Sequence, residues 1–377
     1  MLEPSRSRTS RVLGDRAGRA VRAQPQREGA AVRQPFPIFA PEPGSPPPVA
    51  EDRRQSGAVR TTVRALSAAP TVLRAAWHDA QLCCAAFDEV VLPLVAAETP
   101  KGPERDRLGA ALRAWSAKGG HMVAACCRAA GRRFTGEHAA VSALGCAFAR
   151  LYDDLLDEPG RTGFAERAGR LFAGRPWTPR DPLEALAGAL FSTLEQRLGR
   201  PPGDVLYTAL ATVHRYQCRS ARQAAPDVTL AELEEITYGK GGATMVVLFA
   251  LARPGMTAAE AAAVAELGAA LQLCDDHHDR ARDAMLGIAT LPGTGACGRA
   301  ELRARLAAAE AGLANLYGSR PARRLLDEAH VFLLLSEIGR AASGLRRPAP
   351  ATAPTRPLVA LLRRGPAAVV TAPGGSR

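Results

Sequence analysis

Seven aspartates in two short stretches hold the pattern most able to do chemistry. The first stretch reads Phe148-Ala-Arg-Leu-Tyr-Asp153-Asp154-Leu-Leu-Asp157-Glu158. Asp153 and Asp157 stand at i and i+4, on one face of a helix, where like charges repel. Pro159-Gly160 follows at once, so the pair lies at a helix C-terminus, the end whose dipole favours cations. The second stretch reads Leu271-Gln272-Leu-Cys-Asp275-Asp276-His277-His278-Asp279-Arg-Ala-Arg-Asp283. Asp275, Asp279 and Asp283 form one stripe at i, i+4 and i+8. Two Asp-Asp-x-x-Asp clusters 122 residues apart, if they face each other, offer hard oxygen ligands for Mg²⁺. That ion keeps several waters and bridges to phosphates, which points to a diphosphate ligand. Another cation held through His277 or His278 stays open, but neighbours at i and i+1 point to different faces and cannot chelate together.

A third stretch, Tyr238-Gly239-Lys240-Gly241-Gly242, puts three glycines inside a helical segment. It is expected to break or kink there, or to be a plain loop. A lysine at a kink facing two acidic clusters is a natural diphosphate partner.

The elements that must position these groups are helical. Leu73-Ala76-Trp77-Ala80 and Leu108-Leu112-Trp115 repeat at three and four residues, and no stretch sustains period-two alternation. Breakers including Gly119-Gly120, Pro201-Pro202 and Pro292-Gly293 divide the pattern into about eleven helices. These fall near 71–97, 104–117, 121–131, 137–157, 162–173, 181–198, 203–223, 229–252, 257–284, 299–315 and 321–343. An all-α domain over residues 61–343 follows. Residues 1–60 hold 9 of the 29 prolines and no apolar period, so they read as a disordered leader. Residues 344–377 hold 6 more and read as a disordered basic tail.

The net charge of +12 lies in those ends. Residues 1–60 carry 11 Arg against 6 acids, and residues 344–377 carry 6 Arg and no acid. The middle is near neutral, with 32 basic and 31 acidic groups, which argues against a nucleic-acid face. The tails are left with loose contact to anionic surfaces or plain solvation. Eight cysteines include no Cys-x-x-Cys, and Cys274 with His277 lacks a second pair, so neither a disulfide framework nor a zinc site follows. A reducing cytoplasm fits. No secretory signal is visible, and the apolar run near Ala243–Ala252 is too short for a transmembrane segment.

From about Gly119 to Pro292 the chain resembles the class I isoprenoid synthases, the superfamily of trans-prenyl diphosphate synthases and class I terpene cyclases. Tyr152-Asp-Asp-Leu-Leu-Asp-Glu158 matches the family's first Asp-rich motif. Gly268-Ala-Ala-Leu-Gln272-Leu-Cys-Asp-Asp-His-His-Asp279 is similar to the second, including its Gln. Lys240 falls where the family places a diphosphate-binding lysine, although Gly241 replaces the usual Thr. The resemblance implies ten to twelve helices around a deep cavity. It also implies Mg²⁺-assisted loss of diphosphate from an allylic prenyl diphosphate. A homodimer is compatible with it, and the residues leave the oligomeric state open.

The departures narrow the expectation. Chain-elongating members carry Gly-Gly-Lys-Arg-x-Arg-Pro to bind isopentenyl diphosphate, whereas this chain reads Gly119-Gly120-His121-Met122-Val123-Ala124-Ala125. Only Arg161-Thr162-Gly163 remains of the Arg-Arg-Gly stretch that follows the first motif. A site without cations binds a second diphosphate poorly, which favours a terpene synthase, yet the cyclase-type Asn/Ser/Glu second motif is absent. Three readings follow: a terpene synthase, an elongating prenyltransferase with an altered co-substrate site, and a non-catalytic partner subunit. Under the first, Asp153, Asp154 and Asp157 hold metal from one wall and Asp275, Asp276, Asp279 and Asp283 from the other. Lys240, with Arg161 or Arg280, neutralises the leaving diphosphate. Phe148 and Ala149 lie roughly 6–7.5 Å below Asp153 along a helix. There they either floor the cavity, near Gln272, or pack between helices. Phe148, Tyr152, Phe191, Tyr216 and Tyr238 are candidates to face a carbocation or to fill the core.

Overall fold

The computed structural model describes residues 51–345 apart from Pro159, all within one compact unit spanning residues 40–377. The leader over residues 1–50 and the tail over residues 346–377 lie outside the described residues. Among those described there is no strand. Among the described residues the fold is all-α, with twelve helices, one of them a single turn, and a 3₁₀ η-turn at Ser220–Ala224 after the seventh. They are α1 (Glu51–Val90), α2 (Leu92–Glu98), α3 (Pro103–Ala129), α4 (Gly136–Leu156), α5 (Phe164–Phe172), α6 (Pro182–Leu198), α7 (Val205–Arg219), α8 (Leu230–Ala252), α9 (Ala258–Met285), α10 (Leu291–Thr294), α11 (Arg299–Tyr317) and α12 (Ser319–Leu345).

Several starts are written in the sequence. Thr229 and Thr257 cap α8 and α9, each exchanging hydrogen bonds with a Glu three residues on, and so satisfy free N–H groups at both ends of the motif. Asp181 caps α6 through the N–H groups of Leu183 and Glu184. α8 packs between α7 and α9, while α3 and α4 pack on each other and on α1. The core between them is built from Phe87, Leu108, Leu144, Leu151, Phe191, Phe249 and their neighbours.

Three expectations about breaks are corrected. Gly119-Gly120 does not divide two helices, because α3 runs unbroken from Pro103 to Ala129. A Cβ at Gly119 would collide with the Cys146 sulfur, and one at Gly120 with that of Cys83. The glycines therefore let α3 lie against α4 and α1. Gly239-Lys240-Gly241-Gly242 does not kink α8 either. A Cβ at Gly241 would stand 2.5 Å from the Gly268 carbonyl oxygen, and one at Gly242 3.1 Å from that of Ala265. These glycines are a seam where α8 and α9 meet backbone to backbone. Finally, Glu51–Val90 is helical, so residues 51–60 of the segment assigned to the leader are helix.

The stretch Arg60–Glu98 is long and apolar enough, by length and composition, to cross a bilayer. However, Cys83, Phe87, Val91 and Val95 within it are fully buried in the core, so it marks no clear transmembrane segment.

Candidate functional site

The α8–α9 seam sets the site. With glycine at the contact, Lys240 on α8 is brought beside the aspartate stripe of α9, and α4 ends on the other side. A cavity of about 610 Å³ opens there, lined by Asp157, Lys240, Gln272 and the α9 residues Asp275, Asp276, Asp279 and Asp283. The η-turn after α7 contributes Ser220 and Gln223, and Cys218 comes from α7 itself. The two Asp-rich clusters are therefore brought together around one lysine. Lys240 acts electrostatically on Asp153, Asp157, Asp275, Asp276 and Asp283.

The charge there is out of balance. Burial pushes the Asp153 carboxyl up to about 6, against the pull of Lys240. Burial raises Asp276 to about 6 as well, although the Gln272 amide donates to it at 2.9 Å. Asp154, Asp157, Asp275 and Asp283 all lie above the ordinary carboxylate range, with loss of water as the main cause. Neighbouring carboxylates add to each of these four shifts except that of Asp157. These shifts report chiefly carboxylates drawn out of water, with like charges close by adding to most of them.

The seven aspartates do not all play one part. Asp154 turns away from the cavity, is buried, and accepts from Arg150 at 2.6 Å. Its second oxygen, Oδ2, is buried with no partner. Asp276 is buried and tied to Gln272, with the Thr237 hydroxyl 3.5 Å from its other oxygen. Asp157 and Asp275 are exposed to the cavity, and Asp153, Asp279 and Asp283 are half-buried. Asp279 has the Arg282 guanidinium at 3.7 Å.

Two of the three cations expected to face the diphosphate are placed elsewhere. The Arg161 guanidinium is buried and fully committed, donating to Glu158 at 2.6 Å and Glu184 at 2.9 Å, with Asp181 at 2.7 Å. Arg280 is exposed and does not line the cavity. Two other cations, which spacing alone did not select and which do not line the cavity either, act on the aspartates. Arg150 lowers Asp153, Asp154 and Asp157. Lys118 on α3 acts on Asp275 more strongly than Lys240 does. The available signal for Arg150 was its position one turn before Asp153 and Asp154. For Lys118 the only signal was rarity, since the chain has lysine at 101, 118 and 240 alone.

The cavity-floor expectation for Phe148 is also corrected. Its ring is buried among Tyr152, Phe172 and Phe191, with centroids 6.0, 5.9 and 5.2 Å away, and it does not line the cavity. Its helix position turns it toward α6, whereas Ala149, one residue on, is exposed on the Asp153 side. Tyr152 and Phe191 belong to the same aromatic cluster. Tyr238 lies under Arg305 at 4.2 Å, and Tyr216 covers Gly239. The aromatic side chain near the aspartates that does meet solvent is Trp115.

Among the described residues, no three His, Cys, Asp or Glu side chains converge on a point that could hold a metal ion by themselves. The donor set still fits Mg²⁺ in its usual manner, with one or two carboxylates, retained waters and phosphate oxygens completing the shell. Asp157, Asp275, Asp279 and Asp283 are the cavity-facing candidates for that role. A second cleft of about 460 Å³ lies between α1 and α12, but its Arg64 is already paired with Glu310 and Asp327. No family model and no curated protein matches the chain.

Proposed function

We propose that the chain is a Mg²⁺-dependent terpene synthase that ionises an allylic prenyl diphosphate in this cavity. The observation that carries the reading is Lys240, set in one cavity between two aspartate clusters from separate helices. Such a site favours a ligand that brings cations with it and has phosphate oxygens for a lysine. Mg²⁺, held by Asp157 on one wall, with the half-buried Asp153 one turn before it, and by Asp275, Asp279 and Asp283 on the other, would supply charge neutralisation of the departing group. Lys240 binds the same diphosphate directly. The C–O bond breaks heterolytically and the electron pair leaves with the diphosphate; the allylic cation, directly or after attack by an internal double bond has moved the charge to another carbon, then loses a proton to give a neutral hydrocarbon.

The co-substrate reading is supported less. His121, at the place of the family's isopentenyl diphosphate motif, is half-buried between Asp79 and Glu328, 2.9 Å from each. It therefore has no free donor for a second diphosphate. The deciding experiment incubates the chain with prenyl diphosphates of increasing length and Mg²⁺, with and without isopentenyl diphosphate. Released diphosphate with cyclic or linear hydrocarbon products, independent of isopentenyl diphosphate, is expected. Longer prenyl diphosphates formed only in its presence would establish elongation instead, and no diphosphate release under any condition would remove the enzymatic reading.

A further inference from the structure

The outer face of α1 carries an apolar stripe that neither the core nor the cavity uses. Val63, Leu66, Pro70, Leu73 and Trp77 recur in steps of three and four, which puts them on one side of the helix over about 21 Å. Pro70 is exposed, and the other four keep between 48% and 70% of their surface in water, Trp77 the most. The helix is anchored by its opposite side, through Ala65, Asp79, Cys83 and Phe87. Single exposed apolar side chains are ordinary, but a continuous row marks a surface that meets something. Although Arg60–Glu98 is apolar enough for a bilayer, only 28% of its most apolar stretch is buried.

Charge identifies what the stripe meets. Arg60, Arg74 and His78 are exposed along one edge of it. Arg323 of α12 lines the adjoining cleft with Arg60 and Val63. The acid of that cleft, Asp327, is taken by Arg64. Among the described residues, no carboxylate oxygen lies within 4 Å of the Arg60, Arg74 or Arg323 guanidinium. Between Arg60 and Phe87 the helix holds one acid, Asp79, and that is buried on the far side. An apolar row edged by unanswered arginines fits an anionic lipid surface, where the row enters the acyl boundary and the guanidinium groups meet phosphate. A second copy of the chain fits less well. Two such faces would bring arginines together with no acid to answer them. Five side chains on one helix also fall short of the roughly 20–30 residues a side in a standard interface.

We propose that α1 docks the protein on anionic membrane surfaces, with the Val63–Trp77 stripe inserted shallowly and Arg60, Arg74 and Arg323 on the headgroups. The helix lies along the surface and does not cross it, because its other side is packed into the core. The 11 Arg against 6 acids of residues 1–60, and the 6 Arg of residues 344–377, add attraction of the same sign. Docking is independent of what the cavity binds.

The test is co-sedimentation of the full chain with vesicles of phosphatidylcholine alone or mixed with phosphatidylglycerol. Wild type should bind only the mixed vesicles. The double variant Leu66→Gln, Trp77→Gln should bind them about tenfold or more weakly with an unchanged melting temperature, since both side chains are exposed. Arg60→Gln with Arg74→Gln should weaken binding by about fivefold per arginine. Arg133→Gln with Arg170→Gln, exposed and off this face, should bind as wild type. Tryptophan emission should shift to the blue on the mixed vesicles, and Trp77→Phe, which keeps an aromatic ring in place, should lose that shift. Persistence of the shift would assign it to Trp115 or Trp177 and overturn insertion of the stripe. Wild type that binds neither vesicle overturns the proposal, and so does a stripe variant that binds as tightly as wild type, since the basic ends alone would then hold the lipid. Equal weakening by the two arginine pairs would reduce the effect to general charge and overturn it. A lipid-free dimer in sedimentation velocity that the stripe variant converts to monomer would give the face to a second copy instead.

Discussion

Two groups of acids in this chain sit close together and largely out of water, and they are treated oppositely. Between α4 and α6, Glu158, Asp181 and Glu184 surround Arg161, and Arg167 and the Arg180 N–H complete the shell of Glu184. Hydrogen bonds from the α6 N-terminus and from Arg161 overcome burial and hold the Asp181 carboxyl below its ordinary range. A few residues before Glu158, Asp153, Asp154 and Asp157 at the end of α4 are pushed upward, as are Asp275, Asp276 and Asp283 on α9. The first group is closed and complete. The second is open: Asp157, Asp275, Asp276, Asp279 and Asp283 line a cavity around Lys240. The difference teaches that clustered acids are not informative in themselves. What separates a brace from a binding site is whether the charges are already answered by the chain.

The comparison predicts opposite responses to neutralisation. Glu184→Ala should cost about 3–5 kcal/mol in urea denaturation, because it strands Arg161 among buried groups. A loss below about 1 kcal/mol would mean that the two groups do not differ in kind. Behind the aspartates, the aromatic cluster gives a similar magnitude by a different cause. Phe148→Ala should cost about 3–5 kcal/mol through the cavity it leaves, with prenyl-length preference unchanged. A shift toward longer substrates without that loss would restore Phe148 to the cavity wall.

A smaller effect comes from the third ionic group, where α1, α3 and α12 meet. Burial opposes the charge of His121, but hydrogen bonds to Asp79 and Glu328 prevail and raise it to about 9. Its stabilisation is complete below the unfolded value near 6.5 and is lost as pH rises through about 9. Stability should therefore fall by on the order of 2–3 kcal/mol between those limits. The decline should be absent in His121→Gln, and its persistence in that variant would assign it to another group.

The smallest effect has the opposite sign and is the sharpest probe of the open site. Asp153 titrates near 6 in the fold, above its unfolded range, so the ionised form costs stability at neutral pH and that cost vanishes below about pH 4. Asp153→Asn should raise stability at pH 7.5 by about 1–2 kcal/mol, allowing for screening of a half-buried group. It should also abolish Mg²⁺-dependent diphosphate release. A destabilised Asp153→Asn would show that the first cluster is braced like the Glu184 group.

Spacing within a single helix made the helical class and both aspartate stripes legible, because i and i+4 share a face whatever surrounds them. It did not determine what the glycines do. Gly241 and Gly119 weaken an isolated helix, and only the approach of Gly268, Cys146 and Cys83 from other elements turns that weakness into close packing. Nor did it separate the cations. By distance along the chain Arg161 and Arg280 were as good as Arg150 and far better than Lys118. The fold spent Arg161 on Glu184 and set Lys118 within reach of Asp275, because electrostatic partnership is fixed by position in space and by exclusion of water, neither of which a linear spacing encodes.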